Sequence, residues 1–495
     1  MRPRQAYRLP PYLQERRVVT PRTSRSFLRI LAVIRLIYIP LLCGVAATAQ
    51  QPPAMPGMST SSMPQNLPQM PGMRMQPRNL IDAQLNHLSS GTTVEPASTP
   101  MYMVMGQHGA WIWMLHGEAF VTDIQQQAAQ TPSQTDTGRR GGDKLFSTNW
   151  IMPMAMRRLG PGQLTLRAMF SLEPATITGR QYPLLFQQGE TAFGKPIVDG
   201  QHPHNFFMEV AALYDIRLGE HTLLSLYAAP IGDPAIGPVA YPHRLTASEN
   251  PLAALGHHQQ DSTHIAYNVL TAGLTWRWFR LEGSGFHGGE PSEGRWQFQP
   301  SSNGLAIDSY STRLTVSPNA NWSGQYSIAR ITSPEALYPH EDQLRQTASI
   351  LYNRPIGTRD ANGLTVGNWS NTLIWGRTRS ITGSPNEHKV NSYLAESLLR
   401  FSRRNYLWTR IENAGRTNEL LLSPGTELPN GFEEDPIGHV QAYSFGYDRD
   451  FSLTHHLVAA PGAQFTTYDT PDALQSIYGH HPWGVAAFVR FRIVP

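Results

Sequence analysis

Only one cysteine occurs in the 495 residues, Cys43, so the chain beyond it has no disulfide, no thiolate nucleophile and no cysteine-based metal site. There is also no apolar run of about 18 residues, which excludes ordinary transmembrane helices. Charge is sparse, with Asp, Glu, Lys and Arg making up 15% of the chain. The net charge of +4 comes partly from arginines crowded between Arg2 and Arg29, so it carries no nucleic-acid implication. No GxSxG, Walker or GxGxxG motif stands in a supporting context, which removes the commonest hydrolase and nucleotide-binding signatures. Abundant instead are glycine and the aromatics, at a mean hydropathy of −0.34. Strands that alternate between apolar and polar residues average out in this way.

One stretch shows the alternation plainly. In GQHGAWIWMLHGEAFVTD, residues 106–123, Trp111, Trp113, Leu115, Ala119 and Val121 share one face, and Met114, His116 and Glu118 share the other. A helix would mix the two sets. Near the C-terminus, Val485, Ala487, Val489 and Phe491 oppose Arg490 and Arg492. Leu407, Thr409 and Ile411 likewise oppose Trp408, Arg410 and Glu412. Such strands suit a sheet with lipid outside and water or paired charges inside. From residue 106 onward we count about sixteen strand-like runs whose connections alternate between short and long, the rhythm of short periplasmic turns and long outer loops. The expected fold is therefore all-β: an antiparallel transmembrane β-barrel of about sixteen strands over residues 106–495.

Two zones precede it. Residues 1–49 combine a basic start, an apolar run from Leu36 to Ala47 and a small-x-small ending at Ala49, the pattern of a secretory signal peptide. Leu41 and Leu42 before Cys43 do not make a lipobox. Residues 50–105 are rich in Pro, Met, Gln and Ser and nearly uncharged, a composition that cannot build a core, so a disordered periplasmic arm is expected. Its methionines, among them Met55, Met58, Met70, Met73 and Met75, recur in MPGM and MRM clusters. Thioethers are soft ligands that select Cu(I), and several on one tether can wrap an ion. A proline-rich linker with incidental methionine is the alternative.

Over residues 106–495 the chain resembles bacterial outer-membrane β-barrel proteins. With its Met-rich arm it is also similar to the copper-resistance protein B family. These resemblances imply contact with outer-membrane lipid and with the outer-membrane assembly machinery, and, on the copper reading, with periplasmic copper-handling proteins. They leave the oligomeric state open.

The histidines gather near the ends of the long connections: Asp199, His202 and His204 in DGQHPHN; His257, His258, Asp261 and His264 in GHHQQDSTH; and His287 in GFHGGEPSE. If the topology holds, these lie toward the outer mouth, where imidazoles with carboxylates suit copper or another divalent metal. His108 extends the arm's pattern. His116, two residues from Glu118, forms an interior pair that is either a shared ligand set or part of a polar lumen. Two functions follow: a barrel that binds and handles copper in sequestration, resistance or export, or a porin-like passive channel for small solutes with incidental histidines. A phospholipase-type hydrolase is the remote third. Ser262 and His264 superficially supply its pair, but they sit two residues apart where that family uses neighbouring strands. No convincing catalytic constellation is present.

Overall fold

In a computed structural model describing residues 76–128, 140–261, 266–298, 306–360, 364–382 and 388–495, the chain forms one closed barrel. Its sixteen long strands are β1 Trp111–Gln127, β2 Gly141–Leu159, β3 Gly162–Phe170, β4 Phe207–Arg217, β5 Thr222–Gly232, β6 Ala266–Trp276, β7 Phe279–His287, β8 Ser309–Val316, β9 Trp322–Ile331, β10 Asp342–Arg359, β11 Thr365–Thr382, β12 Lys389–Phe401, β13 Asn405–Thr417, β14 Pro436–Arg449, β15 Leu457–Asp469 and β16 Trp483–Ile493. Each pairs antiparallel with its sequence neighbour, and β16 closes on β1 from Glu118↔Arg492 to Gln127↔Trp483. A short strand, Val104–His108, continues the seam below β16 by pairing with β1 from Leu115 to Trp111. Closure leaves no open edge, so the ladder amides of the wall are paired without water.

The expected alternation of faces holds along β1, β13 and β16. Trp113 and Val121 are exposed on the outside while Met114, His116 and Glu118 are buried inside, and Arg490 and Arg492 are buried while their neighbours are not. Leu270, Leu281, Leu373 and Phe445 extend the outer apolar band. At the short-turn end Trp276, Trp278, Trp322 and Trp369 add aromatic rings. Trp322, Tyr352 and Trp369 stack edgewise along three strands, with centroids 4.6 and 6.0 Å apart. A band of large apolar side chains edged by aromatics is a surface built for a bilayer. No helix among the described residues is long and apolar enough to cross a membrane; the crossing is made by strands.

The lumen is filled. Composition predicts a disordered arm up to residue 105, and the structure differs over residues 76–105, which are ordered. Residues 76–103 form an ordered strap inside the barrel, beginning with helix α1, Leu80–Asn86, which is capped by Asn79 Oδ1 accepting from Asp82 N at 2.9 Å. Composition misled because the strap is held by polar contacts from the wall and not by a core of its own. Arg313 Nη2 donates to Thr92 Oγ1 at 2.8 Å, Ser323 Oγ to the Val94 carbonyl at 3.2 Å, and Ser98 N to the Ala320 carbonyl at 2.8 Å. Ala320 lies in a short turn, so the strap crosses the lumen toward the short-turn end. The signal-peptide stretch, Met55, Met58, Met70, Met73, Met75, Ser262 and His264 lie outside the described residues.

Candidate functional site

Two long connections fold into the barrel from the other end. Residues 171–206 pack Tyr182, Leu185 and Phe186 against Phe146, Tyr468 and Tyr478, forming an apolar stopper. Residues 233–261 reach the opposite wall through charge. Arg244 Nε meets Glu396 at 2.8 Å, Leu255 N donates to Glu412 at 2.6 Å, and Glu249 meets Arg490 and Arg492 at 2.6 and 2.8 Å. Buried charges of this kind survive only when paired, so Arg490 and Arg492 prescribe where the loop carboxylate Glu249 sits, and Glu396 where Arg244 does.

Between the two loops and the wall lies a cavity of about 120 Å³. It is lined by Glu290, Glu335 and Glu434 and by Arg295, Arg345 and Arg416. At one side Glu190, His202 and His258 converge, their donor atoms all within 4.8 Å of one another. Glu190 opens the small hairpin Glu190–Ala192/Lys195–Ile197, His202 follows the two-residue strand Gly200–Gln201, and His258 stands on helix α2, His257–Gln260. Glu190 Oε1 lies 2.5 Å from His258 Nε2, and Glu190 Oε2 faces His202 Nε2. His202 Nδ1 donates to the Pro203 carbonyl at 2.6 Å, which turns its Nε2 toward the carboxylate. Burial, and then the charge of Arg345, pushes the His258 imidazole down to about 4, so it is neutral at pH 7, the form that ligates. Two imidazoles and a carboxylate fit a borderline divalent ion with further positions open.

Of the sequence-selected residues, then, the structure brings together His202 and His258. The other described ones stand elsewhere. Asp199 accepts from Arg140, Tyr478 and the Phe186 amide, and burial raises its carboxyl above the usual range. His204 sits between Glu173 and Tyr241, at 3.0 and 3.1 Å. His257, one residue along the helix from His258, points instead to Gln201 at 3.1 Å. Asp261 accepts from the Tyr241 amide and lies 3.8 Å from Arg244. His287 pairs with Asp308 at 2.7 Å. His108 is exposed on the short seam strand, and His116 is deep in the lumen beside Trp150 and His243. Glu190 escaped sequence reasoning because its partnership with His258 joins two separate loops and leaves no spacing to read.

No protein-family profile matches this sequence, and no curated protein matches it. Among solved structures, the anion-selective porin from Comamonas acidovorans is 12% identical with a TM-score of 0.45, over 77% of this chain and 99% of the porin. Salmonella typhi OmpF is 6% identical with a TM-score of 0.43, over 79% and 100% of the two chains. The outer-membrane channel DcaP of Acinetobacter baumannii is 8% identical with a TM-score of 0.42, over 79% and 100%. None of these likenesses supports membership of the copper-resistance protein B family.

Proposed function

We propose that this protein is a bacterial outer-membrane channel for small polar solutes, held narrow by its own strap and inward loops. One observation carries the reading. The lumen arginines Arg167, Arg313, Arg490 and Arg492 are all buried and reach the strap or loop 233–261, so the filling is a fitted part of the conduit. Sixteen strands enclose enough space for an aqueous path once such a filling shifts. Its partners are outer-membrane lipid and the assembly machinery that inserts barrels. Single-channel recording in planar bilayers tests the reading. Discrete ion-conducting steps are expected, enlarged by substitutions that loosen the strap, and a chain that never conducts, with the strap intact or loosened, is no channel.

A finer reading, transition-metal handling with copper foremost, is favoured by the Glu190, His202 and His258 constellation. On that reading the mouth selects a divalent ion, Cu(II) or another, and periplasmic copper-handling proteins are partners. Calorimetric titration of the detergent-solubilised chain with Zn(II) and Cu(II) tests it, one site being expected and lost in His258→Ala.

A further inference from the structure

Every methionine beyond the arm lies in one place. Nine occur between Met101 and Met208 and none follows. Seven of them are buried in a single lumen cluster, and Met101 and Met105 pack against it. Met152, Met154 and Met156 alternate along the inner face of β2, opposite His116, Met114 and Ile112 of β1. Two other parts of the chain close the cluster. The strap brings Met101 and Met103, and loop 233–261 brings His243, whose Nε2 lies 3.1 Å from Met169 Sδ. The rings of His116 and His243 are 5.6 Å apart. His116 is 7% exposed, and its Nε2 has no hydrogen-bond partner among the described residues. A cavity of about 90 Å³ opens between Met101, Met103, His116 and His243.

Ordinary packing does not account for this. Methionine fills irregular gaps, but leucine does so while losing less rotamer freedom, and gap-filling alone would scatter methionine around the wall. It does not gather thioethers from four strands and the strap into one cluster, with two imidazoles beside it and a small cavity lined by Met101, Met103 and both rings. Nor does packing explain a buried ring nitrogen without a hydrogen-bond partner on a residue that lines that cavity. The carboxylates at its edge are already engaged, Glu118 with Arg492 at 2.8 Å and Glu95 with the Leu245 amide at 2.9 Å. The remaining donors are neutral, soft sulfur and imidazole nitrogen.

We propose that this chamber is a coordination site for a soft monovalent cation of the Cu(I) and Ag(I) class, with Met169, His243 and His116 as central ligands and the β2 methionines around them. Thioether sulfur selects such ions over Zn(II) or Mg(II), and neutral donors suit a single charge. The site deepens the metal-handling part of the reading above, at a place separate from Glu190, His202 and His258.

The test is a silver titration of the full-length chain in detergent, Ag(I) being a redox-inert member of the class, with silver-edge X-ray absorption to identify ligands. The starting form carries leucine at the six methionines from Met55 to Met75, which removes the arm as a competitor. It should retain one tight Ag(I) with sulfur in its coordination shell. Adding Met169→Leu and His243→Phe should weaken that ion at least about ten-fold, whereas His258→Ala should leave it unchanged. Met152→Leu, a near-isosteric change, serves if the double substitution alters the heat-modified electrophoretic mobility of the folded barrel. An arm-substituted chain that binds no silver, or chamber variants that bind it as tightly as their parent, overturn the site. Silver lost on His258→Ala also overturns it, while leaving metal handling at the mouth standing. Zinc absent from the mouth with silver retained in the chamber overturns only the mouth reading.

Discussion

Arg167 on β3 and Glu209 on β4 form a buried two-pronged pair, Nε and Nη2 at 2.7 and 2.8 Å from the carboxylate, and the same guanidinium donates to the strap carbonyls of His87, Ser89 and Gly91. Glu209 returns the contact by accepting from Gly91 N at 3.0 Å. One ion pair therefore joins wall to wall and wall to strap. Removing one partner leaves the other buried and uncompensated, a loss of about 3–5 kcal/mol. Arg167→Met should accordingly free the strap, raising unitary conductance and exposing residues 88–100 to protease. Native-like conductance and protease resistance would show that the strap is anchored elsewhere.

Glu249 performs the matching task for the inward loop. It lies between Arg490 and Arg492, while Asp448 and Asp450 hold Arg490 from the wall at 3.0 and 2.9 Å and Glu118 holds Arg492 at 2.8 Å. Because the wall carboxylates remain, Glu249→Gln should leave the barrel folded and detach the loop. The expected cost is about 3 kcal/mol, seen as faster hydrogen exchange across residues 245–255 without faster exchange in β16. Equal acceleration in both segments would contradict this division of labour.

At the mouth, burial and then the charge of Glu335 push the Glu434 carboxyl up to about 8, and burial pushes Glu290 up to about 7. Both values stand above the ordinary 4.5. A pKa raised on folding contributes stability that is complete below the unfolded value and is lost as pH rises through the folded one. The packing of residues 418–435 should therefore loosen as pH climbs from about 4.5 to about 8. Hydrogen exchange corrected for its intrinsic pH dependence measures this. Glu434→Gln, which keeps the Thr417 contact at 2.7 Å without the charge, should flatten the profile; a variant as pH-sensitive as the native chain would point to another group.

The barrel was legible in the sequence because a wall strand obeys a local rule. The parity that separates Trp113 from His116 separates lipid from lumen over the whole circuit, and the turn rhythm needs no tertiary information. The filling was less legible. Residues 76–103 have too few branched apolar side chains to fold alone, and their order comes from donors such as Arg167 and Arg313, supplied from far along the chain. His257 and His258 look equivalent in sequence, yet about 100° of helical rotation sends one to Gln201 and the other to Glu190. The methionine chamber did leave a trace, since MPMAM repeats methionine at strand spacing on an inward face. Its histidine partner His243 comes from a loop that no spacing links to it.

The position of His258 depends on a residue that bears no ligand. Helix α2 rests on β11 at Gly376, where an added Cβ would lie 2.2 Å from the Gln259 carbonyl oxygen and 2.8 Å from Gln260 Cα. Both are backbone atoms, so no side-chain rotation relieves the clash, and the helix must lift off the wall. Gly376→Val should carry His258 away from Glu190 and His202 while leaving the ladders of β11 with β10 and β12 in place. Zinc affinity is then expected to fall at least ten-fold, about 1.4 kcal/mol, approaching the loss in His258→Ala, with little change in the urea midpoint of the barrel. Because β-branched residues suit a strand, an unchanged midpoint is the natural outcome for the wall. A valine variant that binds zinc like the native chain would mean that the contacts of Glu190 and His202, and not the seat on the wall, set where this imidazole stands.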